Sequence, residues 1–269
     1  MTGVLICGIC GRMGRQLVES AAETDVRVVC GVDVQAGEVS GIPVYDSFDA
    51  VRERVDCIID FSNHALLPKI LAYALDKRLP AVIATTGHTE AERAQMREAA
   101  AHIPVFSSGN MSLGINVLIS LAKSAAAALG SDFDIEIIEM HHNRKLDAPS
   151  GTALMIADGI REALPYEPEY IYDRTQRREP RGRSEIGIHS IRGGTIVGEH
   201  EVIFSGRGEV IRISHSAQGR ELFAQGALAA AVAADPTVGR GIVKNVDGER
   251  GAGADDERTC EQCVRGQRH

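Results

Sequence analysis

The sequence contains no tryptophan, and its aromatic content is only 4%. Its core must therefore be built from Val, Ile, Leu and Ala, which favours α/β layering over an aromatic-rich sandwich. Positive charge is in deficit as well: 29 Lys and Arg stand against 37 Asp and Glu, a formal net charge of −8. That balance favours solubility and argues against broad nucleic-acid binding, so no nucleic-acid partner is expected. No apolar run is expected to reach the roughly 18–20 residues of a membrane helix, so no membrane partner is expected either. The N-terminal Met-Thr-Gly-Val-Leu-Ile-Cys-Gly lacks the basic region and cleavage pattern of a signal peptide. Cys7, Cys10, Cys30 and Cys57 fall in apolar strands or a glycine turn, without a disulfide framework. They read as small core residues in a reducing compartment, and a cytoplasmic location is expected. Cys260 and Cys263 form a single C-x-x-C without a second pair, so no metal site is expected.

What is present is a chain of 269 residues, enough for one large or two modest domains. Residues 3–7 read as an apolar strand, followed by the turn Gly8-Ile9-Cys10-Gly11-Arg12-Met13-Gly14 and a helical pattern over 15–24. Residues 27–33 form a second strand that ends in Asp33, about 20 residues beyond the last glycine of the turn. Strand, glycine turn, helix, strand and acid make a βαβ dinucleotide unit. Its glycines admit a pyrophosphate, the helix N-terminus offers free N–H groups, and the acid accepts from a ribose hydroxyl. Strands over 56–60, 81–84 and 104–106 alternate with helices over 65–77 and 89–102. Their C-terminal ends carry Ser62-Asn63, Thr85-Thr86-Gly87 and Ser107-Ser108-Gly109-Asn110, on the edge where open parallel sheets bind ligands.

The pattern then changes. A long helix is expected over 113–129, a half-buried strand over 134–140 and a helix over 152–164. Arg174, Arg177, Arg178, Arg181 and Arg183 crowd one loop, read either as a solvated surface or as an anion-facing patch. Strand-like runs over 185–191, 196–204 and 209–214, separated by short glycine turns, indicate antiparallel hairpins. The fold class is therefore α/β: a Rossmann-like dinucleotide-binding domain with a parallel sheet, plus an α+β domain with an open mixed sheet. The expected division is 1–112 with 218–246 for the first, discontinuous domain and 113–217 for the second. Residues 247–269 form a polar, glycine-rich tail expected to be disordered.

The densest chemistry lies between Glu139 and Thr152. A helix that starts at Pro149 or Ser150 leaves the N–H groups of Gly151 and Thr152 without partners. Lys145 adds a point charge and His142 a hydrogen bond, which together make a carboxylate receptor. His141 is then placed to supply a proton near neutral pH. Adjacent histidines can also ligate a metal, but neighbours on a strand point to opposite faces and two cations stand beside them.

The run His141-His142-Asn143-Arg144-Lys145-Leu146-Asp147-Ala148-Pro149-Ser150-Gly151-Thr152, with Glu139 before it, resembles the signature of the 4-hydroxy-tetrahydrodipicolinate (dihydrodipicolinate) reductase family. The resemblance extends through Gly8 to Gly14, Asp60-Phe61-Ser62, Thr85-Thr86-Gly87, Asn110-Met111-Ser112-Leu113-Gly114, Arg192-Gly193-Gly194 and Val197-Gly198-Glu199-His200. It implies reduction of a small dicarboxylate with NADH or NADPH, on the diaminopimelate route to lysine, by a homotetramer. Carried over by position, it implies His141 as proton donor and Lys145 as second catalytic group. His142, Gly151 and Thr152 would hold the substrate. Gly8, Ile9, Cys10, Gly11, Arg12, Met13, Asp33, Ala84, Thr85, Thr86, Ser108, Gly109, Asn110 and Met111 would contact the cofactor. Two departures stand out. Val34, not a cation, follows Asp33, so NADH is the expected cofactor of choice. Residues 239–269 do not resemble the family's C-terminal segment. The rival readings are another oxidoreductase on the same architecture and a non-catalytic NAD-sensing module.

Overall fold

The computed structural model describes residues 1–175 and 177–234. Expectations for 235–269, including the polar tail and the Cys260/Cys263 pair, lie outside the described residues. Among the described residues, Met1–Ser108 with residues 227–234 forms one compact unit, and Gly109–Gly226 forms another.

The first unit is a seven-stranded sheet. Its strands are β1 (Thr2–Cys7), β2 (Val26–Val32), β3 (Gly37–Val39), β4 (Ile42–Tyr45), β5 (Cys57–Asp60), β6 (Ala81–Ile83) and β7 (Val105–Ser107), in the order β3-β4-β2-β1-β5-β6-β7. Every pairing is parallel except β3 with β4. The helices α1 (Arg12–Ala21), α2 (Leu67–Lys77) and α3 (Glu90–Ala99) connect the strands. β1 is buried at every residue, as a central parallel strand covered on both faces must be. Leu5, Ile58, Ile70, Ile83 and Met96 share one aliphatic core. The sequence's lack of large aromatics is met here by stacked aliphatic strands and helices. α3 begins with a capping box in which the Thr89 side chain accepts from Glu92 N and Glu92 reaches back to the Thr89 backbone.

The second unit comprises α4 (Leu113–Leu129), β8 (Asp134–His141), α5 (Gly151–Arg161), β9 (Glu169–Ile171), β10 (Glu185–Arg192), β11 (Gly198–Ser205) and β12 (Val210–Ala217). α6 (Glu221–Ala234) crosses the division between the units. The sheet order is β12-β11-β8-β10-β9. β11 and β12 form the expected antiparallel hairpin. β10 and β11 do not pair: β8 lies between them, parallel to β10 and antiparallel to β11. A short glycine turn between two runs signals a change of direction, not adjacency. Here β8, arriving earlier in the chain, satisfies both edges.

Strand alternation then organises this sheet. On β8, Ile135, Ile137, Glu139 and His141 share one face. On β11 the same face carries Phe204, Val202, His200 and Gly198, and on β10 it carries Ile186, Ile188, Ser190 and Arg192. The aliphatic members pack with Leu118, Ala122 and Ala126 of α4 and Ala153, Ile156 and Ile160 of α5. Beyond that apolar patch the same face becomes polar.

Two expectations need correction. Cys7, Cys30 and Cys57 are buried, but Cys10 is exposed because it stands at the tip of the glycine turn. Leu113–Asp132 is, by length and composition alone, apolar enough to cross a membrane, because alanines carry its hydropathy past Lys123. In the fold it buries Ile115, Leu118, Ala122 and Ala126 and leaves Leu113, Val117 and Leu121 exposed. β3 and β9, three residues each, went unforeseen because runs this short carry too little periodicity.

Candidate active site

In the first unit the glycine turn is shaped by contacts that only glycine permits. Gly8 adopts φ +81°, and a Cβ there would lie 2.6 Å from the Phe61 carbonyl oxygen. At Gly14 a Cβ would come within 2.3 Å of the Gly8 carbonyl, so α1 can start directly against the turn. Gly11 caps α1 without a side-chain hydrogen bond, which leaves the helix N-terminus open for an anion. Ile9 is fully buried and fills the space beside Gly31, so only its backbone faces the turn's mouth. Gly11 and Arg12 are exposed and Met13 is half-buried.

Asp33, at the end of β2, reaches back to the same turn. Its Oδ2 accepts from Cys10 N at 2.9 Å, and its Oδ1 accepts from Val34 N at 2.8 Å. Each oxygen keeps a further lone pair for a ribose hydroxyl. Val34 is 90% exposed. These residues fit a dinucleotide: a cradle that a Cβ would fill, an uncapped helix start and a carboxylate anchored beside them.

A cleft of about 240 Å³ opens along the next two strand ends, lined by Phe61, Ser62, Asn63, His64, Ala84, Thr85 and Thr86. Thr85 Oγ1 accepts from Ser62 N at 2.9 Å, tying the ends of β5 and β6 together. Beneath them Asp60 is fully buried, and its Oδ1 accepts from Ser62 N at 3.0 Å. Burial raises its pKa, while Ser62 and Thr85 pull the other way. Ser108 closes this edge, with its N–H on the Ile83 carbonyl at 3.2 Å.

In the second unit the polar end of the sheet is built on Glu139, which is fully buried. Arg192 grips it with both terminal nitrogens, at 2.8 Å to Oε2 and 2.7 Å to Oε1. His141 Nδ1 stands 2.6 Å from Oε2, and Ser150 N donates to Oε1 at 3.1 Å. Burial alone would raise the carboxyl's pKa. The hydrogen bonds from Arg192, Ser190 and His141 reverse this and hold it at about 2. One carboxylate therefore orients an imidazole, an arginine and the start of α5 together.

With Nδ1 on Glu139, His141 presents Nε2 outward, and nothing bonds Nε2 among the described residues. Gly198, its neighbour on β11, keeps that space clear: a Cβ there would lie 3.2 Å from Nε2. The His141 pKa is lowered, first by burial, with Lys145 and Arg192 adding to the effect and Glu139 opposing it. His142 follows the strand, and its carbonyl accepts from Lys145 N at 3.1 Å in a tight turn. Lys145 Nζ lies 2.9 Å from Asp147 Oδ1, with its side chain 21% exposed.

Ser150 caps α5 by accepting from Ala153 N at 3.1 Å. The N–H groups of Gly151 and Thr152 have no partner among the described residues, and a Cβ at Gly151 would meet open space. Asn110 Nδ2 donates to Thr152 Oγ1 at 3.0 Å, while its Oδ1 accepts from Ser112 N at 2.8 Å. Gly109, Asn110 and Met111 thus belong to the second unit, where Asn110 bridges the starts of α4 and α5, whereas Ser108 belongs to the first.

The arginine loop is resolved in favour of structure. Arg174 and Arg177 pair with Glu185, Arg177 also with Glu169, and Arg181 with Asp134 and Glu136. These three are committed to acids at the strand ends. Arg178 and Arg183 are exposed, as is Arg144, for which no role emerges. The parts that went unassigned in the sequence are Glu139, Arg192 and His200. The signal was there: alternation puts an acid on the buried face of β8, and a buried acid demands a cation.

Residues 2–111 match the family described as "Dihydrodipicolinate reductase, N-terminus" and residues 114–244 match "Dihydrodipicolinate reductase, C-terminus". The chain is 53% identical over 232 residues to the 4-hydroxy-tetrahydrodipicolinate reductase of Caldanaerobacter subterraneus subsp. tengcongensis, covering 86% of this chain and 92% of that one. It is 45% identical to the protein of the same name from Clostridium tetani, covering 86% and 90%. A solved structure described as dipicolinate-bound dihydrodipicolinate reductase from Paenisporosarcina sp. TG-14 shares the fold, with a TM-score of 0.74 at 24% identity over 88% of this chain and 95% of that one. Two family matches that together span the described chain, and relatives this similar over most of their length, place the chain in the dihydrodipicolinate reductase family.

Proposed function

We propose that this chain catalyses the NAD(P)H-dependent reduction of 4-hydroxy-tetrahydrodipicolinate to tetrahydrodipicolinate, with the 4-hydroxyl leaving as water, on the route to diaminopimelate and lysine, with His141 as proton donor. The observation that carries the assignment of roles is the shared carboxylate of Glu139, which holds both His141 and the start of α5. The reduced nicotinamide, when bound, supplies the hydride. The glycine turn and the N-terminus of α1 receive its pyrophosphate, and Asp33 accepts from its ribose.

The protein's own groups handle charge. The free N–H groups of Gly151 and Thr152, at the positive end of α5, donate to one substrate carboxylate. Lys145 turns from Asp147 to the substrate's negative charge, and His142 adds a hydrogen bond. His141 delivers a proton from Nε2, while Glu139 at Nδ1 fixes the ring's orientation and stabilises its charged form. Burial has lowered the His141 pKa, so the protonated acid is lost as pH rises through that lowered value. The substrate's carboxylates oppose this shift by favouring the imidazolium.

His141→Gln should reduce kcat by about 100- to 10,000-fold, the range for a positioned general acid, with a smaller change in KM. Lys145→Ala should lower kcat/KM about 100-fold or more, as for loss of an electrostatic clamp, and leave the KM for NADH unchanged. Steady-state NADH oxidation with freshly generated substrate checks both. Unchanged turnover in either variant removes that residue from the reaction.

Asp33 further suggests a preference for NADH. Its carboxylate repels a 2′-phosphate, and the exposed Val34 beside it offers no cation to compensate. Measured kcat/KM should favour NADH by about ten-fold or more, equivalent to roughly 1.4 kcal/mol, and Val34→Arg should narrow the gap. A preference of the unaltered enzyme for NADPH would contradict this.

The second sheet supports a homotetrameric assembly. Its face away from α4 and α5 carries Ile138, Met140 and Ile203, half-buried, and Ile191, exposed; edge strand β12 exposes Val210 and Ile211. Such surfaces pair across subunits. Light scattering coupled to gel filtration should give four times the chain's 28.8 kDa, and a monomer would refute the assembly.

A further inference from the structure

His200 is a buried histidine to which the reaction above gives no task. It lies on β11, in register with Glu139 on one side and His215 on the other. It is 4% exposed. Burial, together with the charge of His141, lowers its pKa to about 4, so the ring is neutral near pH 7. Its Nε2 stands 3.3 Å from Ser150 Oγ. That oxygen also accepts from Ala153 N, and either its own proton or the Nε2 proton makes the bond to the ring, according to the imidazole tautomer. The His141 ring meets the His200 ring edge-on, with centroids 5.3 Å apart.

The arrangement is repeated one strand away. His215 Nε2 stands 3.3 Å from Oγ of Ser112, the residue that caps α4 through Ile115 N. Gly114 admits that ring, because a Cβ there would come within 2.7 Å of it. Asn110 joins the two helix starts by accepting from Ser112 N and donating to Thr152 Oγ1. Two neutral histidines, two capping serines and one amide thus tie the N-termini of α4 and α5 to the sheet. A neutral ring suits this place, since a cation at a helix N-terminus is disfavoured.

We propose that His200 is a positioning residue for substrate binding: it orients Ser150 and, through it, the first turn of α5 that receives a substrate carboxylate. This rests on the reading of Gly151 and Thr152 as that receptor. His200 touches neither substrate nor cofactor in this scheme. Its loss lets the α5 start drift from the geometry that Glu139 sets from the other side through Ser150 N, and it is felt in binding before chemistry.

The test is calorimetric binding of dipicolinate and steady-state kinetics on the full-length enzyme. His200→Leu should weaken dipicolinate and raise the substrate KM by about ten-fold, the size expected for one lost buried hydrogen bond. The KM for NADH should not move, and kcat should stay within about three-fold. His200→Gln, whose amide can reach the serine, should recover most of the loss. Unchanged dipicolinate affinity in His200→Leu overturns the proposal, as does a fall in kcat at constant KM, which would mean action on His141. Should His200→Leu fail to fold, a double-mutant cycle of His200→Gln with Ser150→Ala decides. Coupled effects support action through Ser150, and additive ones overturn it. If the unaltered enzyme does not bind dipicolinate, the receptor reading itself fails and His200's part falls with it.

Discussion

The carboxylate of Glu139 is the constraint on which the second unit depends. A charge taken wholly out of water is costly, and it survives there only with excellent partners. Arg192 supplies a two-pronged ion pair, His141 a short hydrogen bond and Ser150 a backbone donor. Removing Arg192 leaves the buried charge uncompensated, at a cost on the order of 3–5 kcal/mol, while loss of His141 takes away one of its hydrogen bonds. One of these partners, His141, is the proposed acid, and another, Ser150, opens the helix proposed to receive the substrate. The acid therefore couples stability to site geometry: β8, β10 and the start of α5 meet at one point or not at all.

The central place of β8 makes this possible. With β10 on one edge and β11 on the other, its side chains are flanked by two strands in register. Ile135 and Ile137 lie under α4 and α5, and two residues further along the same face Glu139 and His141 emerge from the apolar patch. One strand thus spans a dry core and a polar site, and the core's rigidity positions the imidazole. Gly198 completes the arrangement by leaving the outward nitrogen of His141 clear. The first unit uses a similar economy, with Gly8, Gly14 and Asp33 shaping one turn from two strands.

Much of this was legible in the residues. The βαβ unit, its acid and the density of polar groups after β8 stand out because spacing and residue type carry them. The helix start at Ser150 is readable from capping chemistry, and the chain bears it out. The insertion of β8 between β10 and β11 was not legible, because hairpin signals report turns and say nothing of a strand arriving from earlier in the chain. The commitment of Arg174, Arg177 and Arg181 to acids on other strands was hidden for the same reason: long-range pairing has no local signature. Glu139 and His200 were visible as motif letters, but their roles need the cross-strand register, which only the fold supplies.

The central claim is that Glu139 holds His141 as an oriented and protonatable acid. The most direct measurement is an NMR titration of histidine-labelled enzyme, following His141 in the unaltered protein and in Glu139→Gln. The account predicts that the unaltered ring carries its proton on Nδ1 when neutral. It also predicts that loss of the neighbouring anion moves the His141 pKa lower still, because the carboxylate is what opposes burial there. An unchanged or higher pKa in Glu139→Gln would contradict it.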